Sequence, residues 1–294
     1  VCGAGVGDDK GGVVMALSAL ETFLAIHQEH YYTVLFVSSP SEEMGSIGFH
    51  EIFKNIGLRS KIVFGLEPAL WNGSLISSRN GNSWYDIEIL GRSAHAGRFD
   101  EPFVNAAHHA AEFIYNIHKL NNISNKIKVN VGSIKSHLDR YNVTCERVKI
   151  KLDTRFPSLE TRDFLHRNLL SMLTNSNIEC FYTKEKCLTN YEIVDNCPPL
   201  SLQEKEHLVT SLYLKEIETI ENETCKHEHS GGAADINYFF HSELIYLDGI
   251  GPVTSGMHTR NEVMKLDSFF SRRQALINML IILDKNMGED LCKV

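Results

Sequence analysis

The sequence predicts an α/β protein whose mixed sheet is interrupted by an inserted α+β domain. Strand and helix patterns alternate over residues 33–66, which is typical of parallel strand pairing. From about residue 80 the pattern changes to strands and two amphipathic helices, in an order that fits a compact antiparallel, ferredoxin-like sheet. The helix and strand alternation then returns. We therefore expect a first domain made of 1–79 and 189–294, and an inserted domain at 80–188.

Composition narrows the functional class. The chain has 294 residues, 43% of them hydrophobic, which is enough for two cores. A net charge of -8 without a Lys/Arg run argues against a nucleic-acid surface. No apolar run approaches the roughly 20 residues of a bilayer span, and the glycine-rich, acidic start is unlike a signal peptide. Seven scattered cysteines without a CxxC pair favour free thiols, and we expect a cytoplasmic protein.

The N-terminal stretch VCGAGVGDDKGG is rich in glycine and carries two aspartates before a helical pattern at about 13–28. Such a loop lets backbone and carboxylates approach a small charged ligand. A phosphate-cradling loop and a plain helix N-cap are the competing interpretations. The Lys10-Gly11-Gly12 run lacks the Ser or Thr of a Walker loop, which disfavours phosphate.

The remaining elements follow from hydrophobic periodicity. Predicted strands lie at 33–39, 61–66, 84–90, 127–134, 148–153, 178–182 and 244–247. Predicted helices lie near 47–56, 102–120, 159–174, 199–216 and 267–286, with a short helix opened by the small-residue turn at 230–235.

Acidic residues gather at the expected strand ends. Glu42 and Glu43 follow the strand at 33–39, where successive side chains point to opposite sides, so one carboxylate can face a metal and the other a water. A solvated strand end is the alternative. Asp8 and Glu67 fall in similar loops, and four carboxylates at one edge repel one another unless a cation neutralises them. His258, in a loop after a strand, is either a further ligand or a surface residue.

Seven motifs then occur in a recognisable order: GVGDDKGG, SSPSEEMGSIG, GLEPA, GRSAHAG, LDTR, SGGAAD and GMHTRNE. In order and approximate spacing they resemble the di-zinc metallopeptidase family that includes bacterial glutamate carboxypeptidase, acetylornithine deacetylase and succinyl-diaminopimelate desuccinylase. The resemblance spans nearly the whole chain and is closest to the glutamate carboxypeptidase branch.

This resemblance implies a metal centre. Asp8 would bridge two zinc ions, Glu43 and His258 would bind one of them, and Glu67 would bind the other. Glu42 would be the general base. Cobalt or manganese is expected to be able to replace zinc.

The resemblance also implies residues that meet the substrate. His95 stands at the position of an oxyanion-binding histidine that the inserted lid domain gives to the partner subunit of a homodimer. Asn142 aligns with a lid asparagine that reaches the neighbouring site, Arg155 with a substrate-binding arginine, and Gly231 and Gly232 with a loop that meets a substrate carboxylate. Alternatively, Asn142 serves a turn and Arg155 pairs with a carboxylate on its own strand.

The expected reaction is hydrolysis of an amide bond beside a carboxylate, such as release of a C-terminal glutamate from a small peptide. An N-acyl amino acid deacylase and a catalytically inactive relative are the alternatives. The family places a His-x-Asp motif, whose histidine shares a zinc with Glu67, upstream of Asp8, and this sequence starts seven residues before Asp8. We expect either a fragment or a shortened relative in which only the site of Asp8, Glu43 and His258 is complete.

Overall fold

A computed structural model describes residues 1–26, 33–200, 208–241 and 243–286. Within these ranges no helix combines the length and the apolar character needed to cross a membrane. The regular elements, in chain order, are α1 (Lys10–Ile26), α2 (His50–Gly57), β1 (Ile62–Phe64), β2 (Pro68–Ala69), β3 (Leu75–Arg79), β4 (Gly81–Leu90), α3 (Ala106–His118), β5 (Lys128–Ser136), β6 (Arg147–Phe156), α4 (Leu159–Thr174), β7 (Leu188–Cys197), α5 (Leu208–Glu221), β8 (His227–Ser230), α6 (Ile236–Phe239), β9 (Ile245–Leu247), β10 (Gly251–Ser255), β11 (Val263–Met264) and α7 (Leu266–Asn286).

The chain divides into two compact units. The first consists of residues 1–79, 200–230 and 234–294, and the second of 80–199 with 231–233. The sequence placed the end of the inserted domain at residue 188. In the structure the chain stays in the second unit through β7, because this strand pairs with β4 along its length.

The first unit is built around short sheets between strands that are distant in sequence. Strand β1 pairs in parallel with β9, β2 with β10, and β3 with β8, while β11 lies antiparallel to β10. Three helices, α1, α5 and α7, pack their apolar sides together with these strands. Their buried side chains include Met15, Phe23, Tyr213, Ile217, Met279 and Leu283. The mixed α/β class predicted from the sequence is confirmed.

One predicted strand of this unit is wrong. Residues 33–39 form no ladder with any described strand, and Val34 and Leu35 are exposed. An apolar extended segment becomes a strand only when its N–H and C=O groups find partners. Residues 27 and 28 of the predicted first helix, and 201–207 of the predicted helix at 199–216, lie outside the described residues.

The second unit is a four-stranded antiparallel sheet in the order β5-β6-β4-β7, with α3 and α4 contributing to one core. Alternate residues of β4 and β6 enter this core, which is why Ile87, Ile89, Ile150 and Leu152 are buried. Both helices have a side-chain N-cap: Asn105 accepts from two amides of α3, and Ser158 accepts from the amide of Thr161 in α4.

The fourth strand of this sheet is β7, so the predicted strand at 178–182 is wrong. Residues around it close a turn, in which the amide of Cys180 donates to the carbonyl of Glu185 and the amide of Lys184 donates to the carbonyl of Cys180. Strand β7 instead pairs with Asn82–Leu90 of β4, with one irregularity in register at Trp84 and Tyr85.

Candidate metal centre

Three predicted ligands meet in the first unit. Asp8 lies in the turn before α1, Glu43 in a single 3-10 turn at Glu42–Met44, and His258 in the hairpin loop between β10 and β11. Nε2 of His258 lies 3.1 Å from Oδ2 of Asp8 and 3.2 Å from Oε1 of Glu43. All three ligand atoms lie within 4.8 Å of one another. The three residues predicted as ligands of one zinc ion therefore lie close together, although each is on a different loop.

The donor set fits a zinc-like cation. One imidazole nitrogen and two carboxylate oxygens are ligands that Zn²⁺ accepts, and three protein ligands with an open position are typical of catalytic zinc sites. The site is accessible, since the side chain of His258 is 67% exposed and that of Glu43 59%, whereas that of Asp8 is 12% exposed. Beside it, Oδ1 of Asp9 is buried and has no hydrogen-bond partner. The Asp8–Asp9 peptide bond is cis.

Glu42, the predicted general base, adjoins this group but is not part of it. Burial raises its pKa to about 7, assisted by the negative charges of Asp235, Glu43 and Asp8. The pKa of Asp9 rises to about 8, again chiefly through burial and then through Asp8. Both shifts show that negative charge is unfavourable here without a cation, and a bound cation would favour the charged carboxylates.

Glu67 has a different environment from the three clustered ligands. It is half-buried between β1 and β2, and burial raises its pKa well above the usual value while the positive charge of Arg79 opposes that rise. Arg79 itself forms a buried ion pair with Asp248. Among the described residues, the close group of ligand atoms contains Asp8, Glu43 and His258 and does not include Glu67.

Sequence reasoning missed Glu262, which is buried at the end of the His258 loop. Its Oε2 accepts from the amide of Gly5 at 2.6 Å, and its Oε1 accepts from the amides of Gly7 at 2.9 Å and Asp8 at 3.0 Å. Burial favours a higher pKa, but these N–H groups outweigh it and the pKa of Glu262 is lowered. Its only sequence signal is its place at the end of the motif GMHTRNE.

The second unit brings His95 and Asn142 onto adjacent segments. The amide of Ala96 donates to the carbonyl of Asn142 at 3.0 Å, and the amide of Thr144 donates to the carbonyl of Ala94 at 2.9 Å. His95 and Asn142 are both exposed. His95 and Asn142 therefore lie on neighbouring exposed segments, because the backbone of the GRSAHAG motif pairs with residues 142–144.

The other predicted substrate residues also lie in this unit. Nε of Arg155 is 2.9 Å from Oδ2 of Asp153, so the pairing along its own strand is present. Gly231 and Gly232 follow β8 in a turn, and a side chain at Gly231 would meet no atom within 4 Å. Their roles in substrate binding stay predictions.

Known proteins are similar to this chain in part of its sequence and in its fold. Residues 77–179 match the sequence model of the M20 peptidase dimerisation domain. A 127-residue stretch is 28% identical to carboxypeptidase G2 of Pseudomonas sp. (strain RS-16), covering 43% of this chain and 30% of that enzyme. Over these residues the chain is similar to M20 peptidases. The family resemblance predicted from the sequence motifs is thereby confirmed at this level.

Solved structures of two peptidases share the fold. The chain matches a tripeptidase from Staphylococcus aureus subsp. aureus Mu50 with a TM-score of 0.77 and 19% identity, over 95% of this chain and 72% of that one. It matches aminopeptidase PepT from Bacillus cereus ATCC 10987 with a TM-score of 0.74 and 19% identity, over 94% of this chain and 71% of that one. The chain therefore covers most of these structures but less than a third of carboxypeptidase G2.

Proposed function

We propose that this M20 relative is a metal-dependent hydrolase that cleaves an amide bond beside a carboxylate in small peptides. The observation that carries the proposal is the convergence of Asp8, Glu43 and His258 within 4.8 Å. The names of the relatives, a carboxypeptidase, a tripeptidase and an aminopeptidase, support a peptide substrate.

Asp8, Glu43 and His258 would hold one zinc ion, and cobalt or manganese would fit the same donors. Glu67 would serve a second zinc. When bound, the metal supplies Lewis acidity, which polarises a carbonyl group and makes a nearby water more acidic.

Glu42 is the proposed general base. Its neighbour Glu43 belongs to the ligand group, while the carboxylate of Glu42 remains outside it and is available for proton transfer. Glu42 takes a proton from the attacking water as the C–O bond forms, and it gives that proton to the amine nitrogen as the C–N bond breaks. The products are a carboxylic acid and an amine.

The second unit would complete the site in a homodimer, as its match to a dimerisation domain suggests. His95 from a second copy would donate a hydrogen bond to the developing oxyanion, with Asn142 beside it. Arg155 and the amides of Gly231 and Gly232 would bind the carboxylate of the substrate.

The test is a zinc-loaded assay that measures amine release from two substrate panels. One contains dipeptides and tripeptides with a C-terminal glutamate, and the other contains N-acyl amino acids. We expect the peptide panel to be hydrolysed, and a preference for the second panel would indicate a deacylase. Glu42→Gln should retain zinc and lose turnover, whereas Glu51→Gln, at an exposed position on α2, should behave as wild type.

Absence of turnover on both panels by the zinc-loaded dimer would contradict the proposal. Full activity of Glu42→Gln would contradict the assignment of the base.

A further inference from the structure

The N-terminal segment, which leads to Asp8, is hydrogen-bonded to residues that follow His258. The N-terminal residues pair with the strand that follows the His258 loop: the amide of Met264 donates to the carbonyl of Val1 at 2.8 Å, and the amide of Gly3 donates to the carbonyl of Glu262 at 3.1 Å. Gly7 packs so closely on the side chain of Thr254 in β10 that it has no room for a Cβ. The turn that carries Asp8 is therefore docked on the β10–β11 hairpin.

Glu262 is the side chain at the centre of this junction. Its two carboxylate oxygens accept hydrogen bonds from Gly5, Gly7 and Asp8, and the last of these is the amide of a predicted ligand itself. Three N–H groups that converge on one carboxylate fix the backbone of a turn, as in an anion-binding nest. Both oxygens are engaged, and Glu262 does not belong to the close group of ligand atoms found among the described residues.

The same residue limits where His258 can lie. His258 occupies the loop that Glu262 ends, and it has a positive φ of 61°, a conformation that non-glycine residues rarely adopt. The loop is braced internally, since the hydroxyl of Thr259 donates to the carbonyl of Gly256 at 2.7 Å and accepts from the amide of Asn261 at 3.1 Å. A rigid loop fixed at Glu262 holds the imidazole at a defined distance from Asp8.

We infer that Glu262 is a positioning residue of the metal centre, which holds the turn of Asp8 against the loop of His258 without contacting the cation. The inference rests on the proposed metal-dependent function. Hydrogen-bond partners that orient metal ligands typically account for about 10–100-fold in metal affinity.

The test uses the metal-free full chain and Co²⁺ alone as the probe, with affinity and the visible absorption spectrum as readouts. Glu262→Gln replaces one acceptor oxygen by an NH₂ group, so we expect Co²⁺ binding to weaken by about 10–100-fold and the spectrum to change. Glu262→Asp keeps the charge and should retain part of the affinity. Hydrogen exchange of residues 1–12 in the metal-free Glu262→Gln variant should be faster than in wild type.

The matched control is Glu228→Gln. Oε1 of Glu228 accepts from Asn72 and Ser74 on the β3–β8 side of the unit, so this variant removes a hydrogen-bonded carboxylate elsewhere. It should leave Co²⁺ affinity and spectrum unchanged.

The outcomes separate the inference from the proposed function. The first case is that wild type binds Co²⁺ and Asp8→Ala abolishes this binding. If both Glu262 variants then bind Co²⁺ within about threefold of wild type and give the same spectrum, Glu262 has no positioning role. If Asp8→Ala leaves Co²⁺ binding intact, or wild type binds none, the metal centre itself is overturned and the inference with it. Should Glu262→Gln fail to fold, the Glu262→Asp variant decides by the same readouts.

Discussion

Nε2 of His258 lies 3.1 Å from Oδ2 of Asp8, although 250 residues separate them in the sequence. The two side chains meet because the N-terminal segment pairs with the hairpin that carries His258. Glu43 approaches the same imidazole from a third loop. An imidazole flanked by two carboxylates is the basis of the proposed metal centre.

Substitution of His95 is expected to lower the turnover rate and to leave metal binding unchanged. Removing one oxyanion donor typically lowers kcat by about 10²–10³. We therefore expect His95→Ala to lose activity by this factor while its zinc content stays that of wild type, measured by steady-state kinetics and metal analysis. His118→Ala, at an exposed position on α3, is the control. A variant at His95 with undiminished kcat would remove this residue from the mechanism.

The buried ion pair of Arg79 and Asp248 should be important for the stability of the first unit. The two side chains are 6% and 0% exposed, so Asp248→Ala removes the carboxylate that pairs with a buried guanidinium. We expect a loss of about 3–5 kcal/mol in the free energy of unfolding, measured in urea. Asp86→Ala breaks the exposed pair with Lys151 and should cost at most about 1 kcal/mol. Equal losses of unfolding free energy in Asp248→Ala and Asp86→Ala would contradict the greater importance of the buried pair.

The core of the second unit gives a stability prediction that is independent of the metal. Leu169 on α4 is 1% exposed, whereas Leu159 on the same helix is 49% exposed. Leu169→Ala should cost about 2–5 kcal/mol because it leaves a cavity, and Leu159→Ala should change stability by about 0.5 kcal/mol or less. Thermal or urea unfolding of both variants provides the measurement. Similar values would show that α4 does not pack as described.

His109 on α3 should make stability depend on pH. Burial lowers the pKa of its imidazole from the ordinary 6.5. The negative charge of Glu112 opposes this shift, and the positive charge of Lys186 lowers the pKa a little further. Below pH 6.5 the imidazole binds a proton more readily in the unfolded chain than in the folded chain. The free energy of unfolding is therefore highest above this pH and decreases as the pH falls below it.

Urea unfolding at pH 7.5 and 5.5 tests this dependence. The decrease should be smaller for His109→Leu than for wild type, and His118→Leu should show the wild-type decrease. The same decrease in all three proteins would exclude His109 as the cause.

The sequence predicted best where periodicity and capping agree. Helix α4 occupies the expected residues 159–174, because Ser158 caps an amphipathic pattern whose apolar side packs on the sheet. Strand β6 was predicted from alternating side chains, and it alternates between buried and exposed positions in the structure. Both signals are local, so a single sequence contains them.

Features that depend on distant partners were not predictable from such patterns. The apolar residues 33–39 look like a strand but have no described ladder partner, and β7 was missed because its exposed residues have no clear alternation. Asp8, Glu43 and His258 came from the order of motifs, not from periodicity. Glu262 was missed because an acceptor of backbone amides has no repeating pattern in a sequence.

The most direct test is the zinc anomalous-difference map of crystals grown with zinc. We predict a peak within about 2.0–2.2 Å of a carboxylate oxygen of Asp8, a carboxylate oxygen of Glu43 and a ring nitrogen of His258. The account would be contradicted by a map of the folded chain that shows zinc bound elsewhere and no zinc in contact with any of these three residues.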